Sequence, residues 1–221
     1  MPLQTLPTWI QVGAFLLALN AGMINILAIF NVAHQTISHM TGNVSYLVLE
    51  MLQRNWLNAL FLLGVIFFFV LGSFYSGFII RDATLRLGHR YGVVLILEAL
   101  FLFITWLLID NYPHYALLWA ATACGMQNAL ASTYNGTIIR TTHLSGVLTD
   151  LGLALGYRAR GLYVNPKRIL LHSLIVLGFF AGGVIGGLNF YMHPDSSFLY
   201  PTLLTTLLAF IYWFFYLKQQ R

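Results

Sequence analysis

Two clusters of polar side chains recur along the chain, and their chemistry is legible before any fold is assigned. In the first, His39, Thr41, Gly42 and Asn43 follow a polar run containing His34, Gln35, Thr36 and Ser38. In the second, Arg140, His143, Ser145 and Gly146 close a run containing Asn135, Thr137, Thr141 and Thr142. Paired histidines ligate metals, shuttle protons or hydrogen-bond a solute or a neighbouring helix, and no carboxylate or cysteine stands beside His39 and His143 to complete a metal set. Thr41 and Ser145 each precede a short apolar stretch. As N-caps their side-chain oxygens would accept an unpaired backbone N–H. A helix starting there directs N–H groups and a positive dipole end at whatever lies before it, which suits a polar or anionic solute. Asn25, Gln127 and Asn128 add further donors and acceptors, for a solute or for a neighbouring helix.

Two acids complete the set. Glu98 lies well inside an apolar run, where an ionised carboxylate costs at least ~2.5–3.5 kcal/mol. Asp150 lies one turn into the second short stretch, with Arg140 as its expected partner. Both are candidates for proton coupling; the alternative is a neutral or paired acid that holds helices together. Glu50 falls near the outer end of the first short stretch and reads as interfacial.

These residues must be carried by membrane-embedded helices. Of 221 residues, 59% are hydrophobic and only 8% charged, against roughly 25% charged in a soluble domain. That composition excludes a water-soluble enzyme, a secreted disulfide scaffold and a disordered chain. The lone Cys124 permits neither a disulfide framework nor a cysteine zinc site. Six apolar runs, at about 9–31, 56–80, 91–109, 115–133, 169–190 and 198–217, are long enough to cross a core of ~30 Å as helices. They do not alternate with period two, which excludes a barrel. The stretches 42–52 and 146–157 reach only about half of that thickness.

The net charge of +5 does not indicate a nucleic-acid partner. Nine of the eleven basic residues fall in three places beside apolar runs: Arg81, Arg86 and Arg90; Arg158, Arg160, Lys167 and Arg168; Lys218 and Arg221. This is the positive-inside pattern. If the short stretches crossed the bilayer, the basic loops at 81–90 and 158–168 would lie on opposite sides. If they are re-entrant, all three groups and the N-terminus share the cytoplasmic side, and both termini are cytoplasmic.

The chain also repeats. Ala21-Gly22-Met23-Ile24-Asn25 aligns with Cys124-Gly125-Met126-Gln127-Asn128, His39-Met40-Thr41-Gly42 with His143-Leu144-Ser145-Gly146, and Gly72–Gly77 with Gly182–Gly187. Each half reads as span, half-helix, span, span; three crossings per half make the second half inverted. The small-residue stripes Gly72/Ser76, Ser73/Gly77 and Gly178/Gly182/Gly186 read as packing faces. The expected fold is therefore an all-α polytopic membrane protein, a single domain over 1–221. It has six transmembrane helices and two re-entrant half-helices in an inverted 3+3 repeat, with repeat 1 at about 9–110 and repeat 2 at about 113–217. Inverted repeats with interrupted segments point to a transport site near the midplane.

The blocks Ala21-Gly22…Asn25, Ser38-His39-Met40-Thr41-Gly42-Asn43, Gly125-Met126-Gln127-Asn128 and Arg140–Gly146 resemble the YoaK family of bacterial inner-membrane proteins, a domain of unknown function. The resemblance covers nearly the whole chain. It implies the bacterial inner membrane but no reaction. The chain departs from the family pattern at Asn25, where an aspartate is expected; that exchange bears on ion dependence.

No P-loop, GxSxG, HExxH or GxGxxG motif is present, so no cofactor is implied and no enzyme is expected. The leading expectation is a transporter of a small polar or anionic solute in a lipid bilayer, proton-coupled through Glu98 or Asp150. Its site would lie between the two half-helix N-termini. A channel of the same architecture, or an intramembrane enzyme or lipid-binding protein, are the alternatives. A homo-oligomer is compatible with all three.

Overall fold

A computed structural model describes residues 8–32, 36–80, 89–132 and 141–219. Eight α-helices account for most of them: α1 Thr8–Asn31, α2 Met40–Leu52, α3 Trp56–Ile79, α4 His89–Leu108, α5 Pro113–Ser132, α6 Leu144–Ala159, α7 Pro166–Met192 and α8 Leu199–Gln219. A single 3-10 turn, Pro194–Ser196, joins α7 to α8. The six long helices coincide with the six apolar runs to within a few residues. Five segments are both long and apolar enough to cross a membrane: α1, α3, α4, α7 and the segment containing α8. The exception is α5, twenty residues long but rich in Ala and carrying the polar Thr122, Gln127 and Asn128. It lies in the middle of the bundle, where a helix need not be apolar to meet lipid.

Glycines fix how the long helices meet. A Cβ on Gly22 would collide with the Phe179 carbonyl of α7, and one on Gly182 with the Leu19 carbonyl of α1. Likewise a Cβ on Gly125 would collide with the Phe69 carbonyl of α3, and one on Gly72 with the Thr122 carbonyl of α5. Backbones this close require residues without side chains. Gly178 and Gly186 continue the first seam against Phe15 and Met23, so α1 and α7 run parallel. The second seam continues from Phe61 against His114 to Ser73, whose hydroxyl donates to the Gly125 carbonyl at 3.0 Å. There α3 and α5 also run parallel. A Cβ on Gly77 or Gly183, by contrast, would meet nothing within 4 Å, although the Gly183 backbone nitrogen itself lies against Gly22 in the first seam.

The other directions follow from side-chain contacts. Thr105 donates to the Ala116 carbonyl at 3.3 Å and Phe101 stacks on Trp119, so α4 and α5 are antiparallel. Gly92 lies against Trp213, and the Trp106 indole donates to the Asp195 carbonyl at 3.0 Å, so α4 and α8 are antiparallel too. Gln127 on the C-terminal half of α5 reaches the Leu17 carbonyl on α1. The later α1 residues Ile24, Leu27 and Ala28 share a core with Ala116–Cys124. Hence α1 and α5 run in opposite directions. In this arrangement Arg90, Arg158, Arg160, Lys167, Arg168 and Lys218 gather at one end of the bundle, and Asp110 and Asp195 at the other. Arg81, Arg86 and Arg221 lie outside the described residues.

The short helices are longer than the sequence suggests. α2 has thirteen residues and α6 sixteen, about 20 and 24 Å at 1.5 Å per residue. Neither spans a ~30 Å core on its own. α2 folds back on α3 through a tight turn at Gln53–Asn55, with Arg54 at φ 58°. α6 folds back on α7 through the turn that holds Gly161 at φ 77°. α2 thus packs along α3 and α6 along α7.

Candidate functional site

The N-termini of the short helices begin two residues earlier than Thr41 and Ser145. His39 and His143 are the N-caps, with φ/ψ of −93°/73° and −92°/64°. The first turns close through Asn43 N–H on the His39 carbonyl and Val147 N–H on the His143 carbonyl. Neither cap residue supplies a side-chain hydrogen bond to its helix, which corrects the expectation that Thr41 and Ser145 cap. These two lie inside the first turn, where each carbonyl accepts a hydroxyl one turn on: Ser45 onto Thr41 at 3.0 Å and Thr149 onto Ser145 at 2.8 Å. Each histidine ring folds over its own helix against the glycine three positions later. A Cβ on Gly146 would stand 2.7 Å from the His143 ring, and one on Gly42 closer still to His39.

The approach to each short helix is anchored well inside the bundle. Ser38 donates to Asn25 Oδ1 at 3.0 Å, and Gln127 Nε2 donates to Thr141 Oγ1 at 3.2 Å. Asn25 and Gln127 both lie more than a turn short of the end of their long helices. His39, Thr41, His143 and Ser145 are exposed on the isolated chain, whereas Asn43 is buried and within 3.4 Å of the Thr36 hydroxyl. α2 and α6 share no extensive packing interface, each short helix resting on the long helix that follows it. Arg140 lies outside the described residues, as do His34, Gln35, Asn135 and Thr137.

The residues brought together most closely form a polar cluster at the centre of the bundle. Asn20 of α1, Glu98 of α4, Gln127 of α5, Thr205 of α8 and Thr141 before α6 converge there, all almost completely buried. The Asn20 amide nitrogen lies 3.3 Å from Glu98 Oε1, 3.1 Å from Gln127 Oε1 and 2.9 Å from Thr205 Oγ1. Gln127 Nε2 donates to the Leu17 carbonyl at 2.9 Å as well as to Thr141. The Thr205 hydroxyl donates to the Pro201 carbonyl at 2.9 Å. Glu98 Oε2 and Asn20 Oδ1 are buried with no hydrogen-bond partner among the described residues. Glu98 sits roughly 14 Å from either end of α4 at 1.5 Å per residue, so the cluster lies at mid-depth. Reading the sequence picks out Glu98 and Gln127 here but passes over Asn20 and Thr205. Their only signal was a polar residue in the middle of a long apolar run.

Asp150 is elsewhere. Its carboxylate lies 3.5 Å from Arg168 Nη2 and 4.0 Å from His172 Nε2, both on α7. Among the described residues these are its partners; the expected partner Arg140 lies outside them. The pair with Arg168 is more than a third exposed on both sides. Asn128 has a partner of its own. Among the described residues no group of three His, Cys, Asp or Glu side chains is placed to hold a metal ion.

A family profile described as "Protein of unknown function (DUF1275)" matches residues 13–211. No curated protein and no solved structure matches the chain.

Proposed function

The chain belongs to the DUF1275 family, of which the YoaK proteins are members, and from that premise we propose that it is a transporter of a small polar or anionic solute, built as an inverted 3+3 repeat, in the bacterial inner membrane. The observation that carries this reading is the Glu98 cluster: a fully buried carboxyl at mid-depth, bonded to Asn20, within a polar network whose five members come from five separate parts of the chain. Intramembrane ionisable groups are costly and mark ion or substrate pathways.

The repeat is supported by contacts that survive exchange of the halves. Gly22 on Phe179 exchanges with Gly125 on Phe69, and Gly182 on Leu19 exchanges with Gly72 on Thr122. The two histidine caps share one backbone geometry, and both short helices fold back on the following long helix. The antiparallel run of α1 and α5 supports inversion, with α5 as the sixth span. The gathering of basic residues at one end supports cytoplasmic termini by the positive-inside rule.

The tips of α2 and α6 are the proposed solute contacts. Their first-turn N–H groups receive no side-chain cap, and a helix N-terminus attracts anions. His39, Thr41, His143 and Ser145 are exposed at a depth where irregular polar backbone survives only beside protein or water, which favours an aqueous cavity at each tip. Glu98 carries the coupling charge.

Liposomes holding the purified protein and a trapped pH dye test this. Amino acids, short carboxylates and inorganic oxyanions are offered in turn under a proton gradient. We expect at least one to drive proton movement, with Glu98→Gln lowering it tenfold or more and His39→Ala with His143→Ala lowering solute uptake. Absence of solute flux across the panel overturns transport. Undiminished coupling in Glu98→Gln overturns the role of that acid.

A further inference from the structure

We infer that the Asn20–Glu98–Gln127–Thr205 cluster is a binding site for a dehydrated monovalent metal cation. The inference rests on the transport reading only for its purpose; the site itself follows from a shortage of hydrogens. An amide nitrogen carries two hydrogens, yet the one on Asn20 faces three acceptors at 2.9–3.3 Å. Gln127 directs its own two at Leu17 and Thr141, and Thr205 directs its one at Pro201. Two further acceptors, Glu98 Oε2 and Asn20 Oδ1, have no described donor. A buried acceptor without a donor costs about 1–3 kcal/mol, so a region with several of them attracts a positive species.

The donor set defines which species. Every available ligand atom is oxygen: a carboxylate, two amide carbonyls and a threonine hydroxyl, with the Thr141 hydroxyl alongside. Oxygen sets suit hard cations, and among the described residues no sulfur or imidazole is hydrogen-bonded into the cluster, although the buried Cys124 thiol of α5 lies near Glu98. One carboxylate supplies one negative charge. A monovalent ion leaves the site neutral, whereas a divalent ion would leave a net buried charge, which is costly. Asn20 is the adaptable member. In the arrangement seen its amide donates to the surrounding oxygens; turned over, it presents Oδ1 to the ion in place of Nδ2.

The test is direct binding, which reads out whether or not any solute is transported. Full-length protein in lipid nanodiscs is titrated with radioactive Na+ and, separately, heated in NaCl or choline chloride at equal ionic strength. We expect saturable binding of one Na+ per chain and a higher Tm in Na+ than in choline. Glu98→Gln should abolish both effects, and Thr205→Val should weaken binding at least tenfold. Thr206→Val, which removes a hydroxyl outside the cluster, should leave binding unchanged. Li+ and K+ compete to different extents if the oxygens form a coordination shell, and lowering the pH weakens Na+ binding competitively. Should Glu98→Gln fail to fold, Thr205→Val against Thr206→Val decides the matter. Equal Tm in Na+ and choline with no saturable binding overturns the inference, as does stabilisation by acid alone. Solute flux persisting in that case leaves the transport proposal standing without a metal ion.

Discussion

Asn20 brings two amide hydrogens to three acceptors, so its replacement acts on the whole cluster. Asn20→Leu leaves buried oxygens on Glu98, Gln127 and Thr205 short of a donor, at about 1–3 kcal/mol for each one not re-paired. We expect a loss of that order in unfolding by SDS in mixed micelles, with Thr205→Val losing about 1 kcal/mol, the worth of an ordinary hydrogen bond. Asp150 should behave differently. Its pair with Arg168 is well exposed, and such pairs contribute ~0–1 kcal/mol. Asp150→Asn is therefore expected to keep both stability and coupled flux in the liposome assay, which separates the two acids that the sequence left as equal candidates. Nothing in residue type distinguished them. Burial did, and burial depends on which helix faces meet.

At the scale of helices, the long spans were legible because an uninterrupted apolar run of twenty residues has one stable outcome in a bilayer. Their ends agree with the sequence reading to within a few residues. The short helices were harder. Thr41 and Ser145 satisfy the preference for N-cap side chains, but the first backbone bonds close one turn around His39 and His143 instead. The cap is set there by where Ser38 and Thr141 are tied to the long helices, a tertiary constraint that no local pattern carries. The glycine stripes were legible as packing faces but not residue by residue: a Cβ on Gly182 would run into a backbone carbonyl, while one on its neighbour Gly183 would meet nothing within 4 Å. That contrast is testable. Gly182→Ala or Gly72→Ala forces a methyl into a carbonyl and should destabilise by about 1–3 kcal/mol, the usual cost of overpacking. Gly183→Ala and Gly77→Ala should leave Tm within a degree or two of the unsubstituted protein.

For the molecule as a whole, the orientation in the membrane is open to a labelling experiment that the chain makes simple. Cys124 is its one cysteine and is buried, so new cysteines report without background. With a membrane-impermeant maleimide on intact cells, Asp195→Cys should label and Tyr163→Cys should label only after permeabilisation. The reverse pattern would invert the topology. The basic residues in the sequence lead to the expectation of this orientation, but the way the two halves meet was not legible in it. α1 is committed to α7 along a glycine seam, and α3 to α5 along another, while α1 meets α5 and α8 over a narrow strip. Asn20 is the α1 residue whose side chain crosses that strip to Glu98, Gln127 and Thr205. α1, α6 and α7 thus meet the remaining helices largely through α1, along a strip that holds the central cluster beside the apolar contacts of Ile24, Leu27 and Ala28. An ion held in the cluster would touch α1, α4, α5 and α8 at once and so tie α1 to the helices across the strip. Spin labels at Tyr163 and Leu217 would register that tie as a narrower distance distribution in Na+ than in choline.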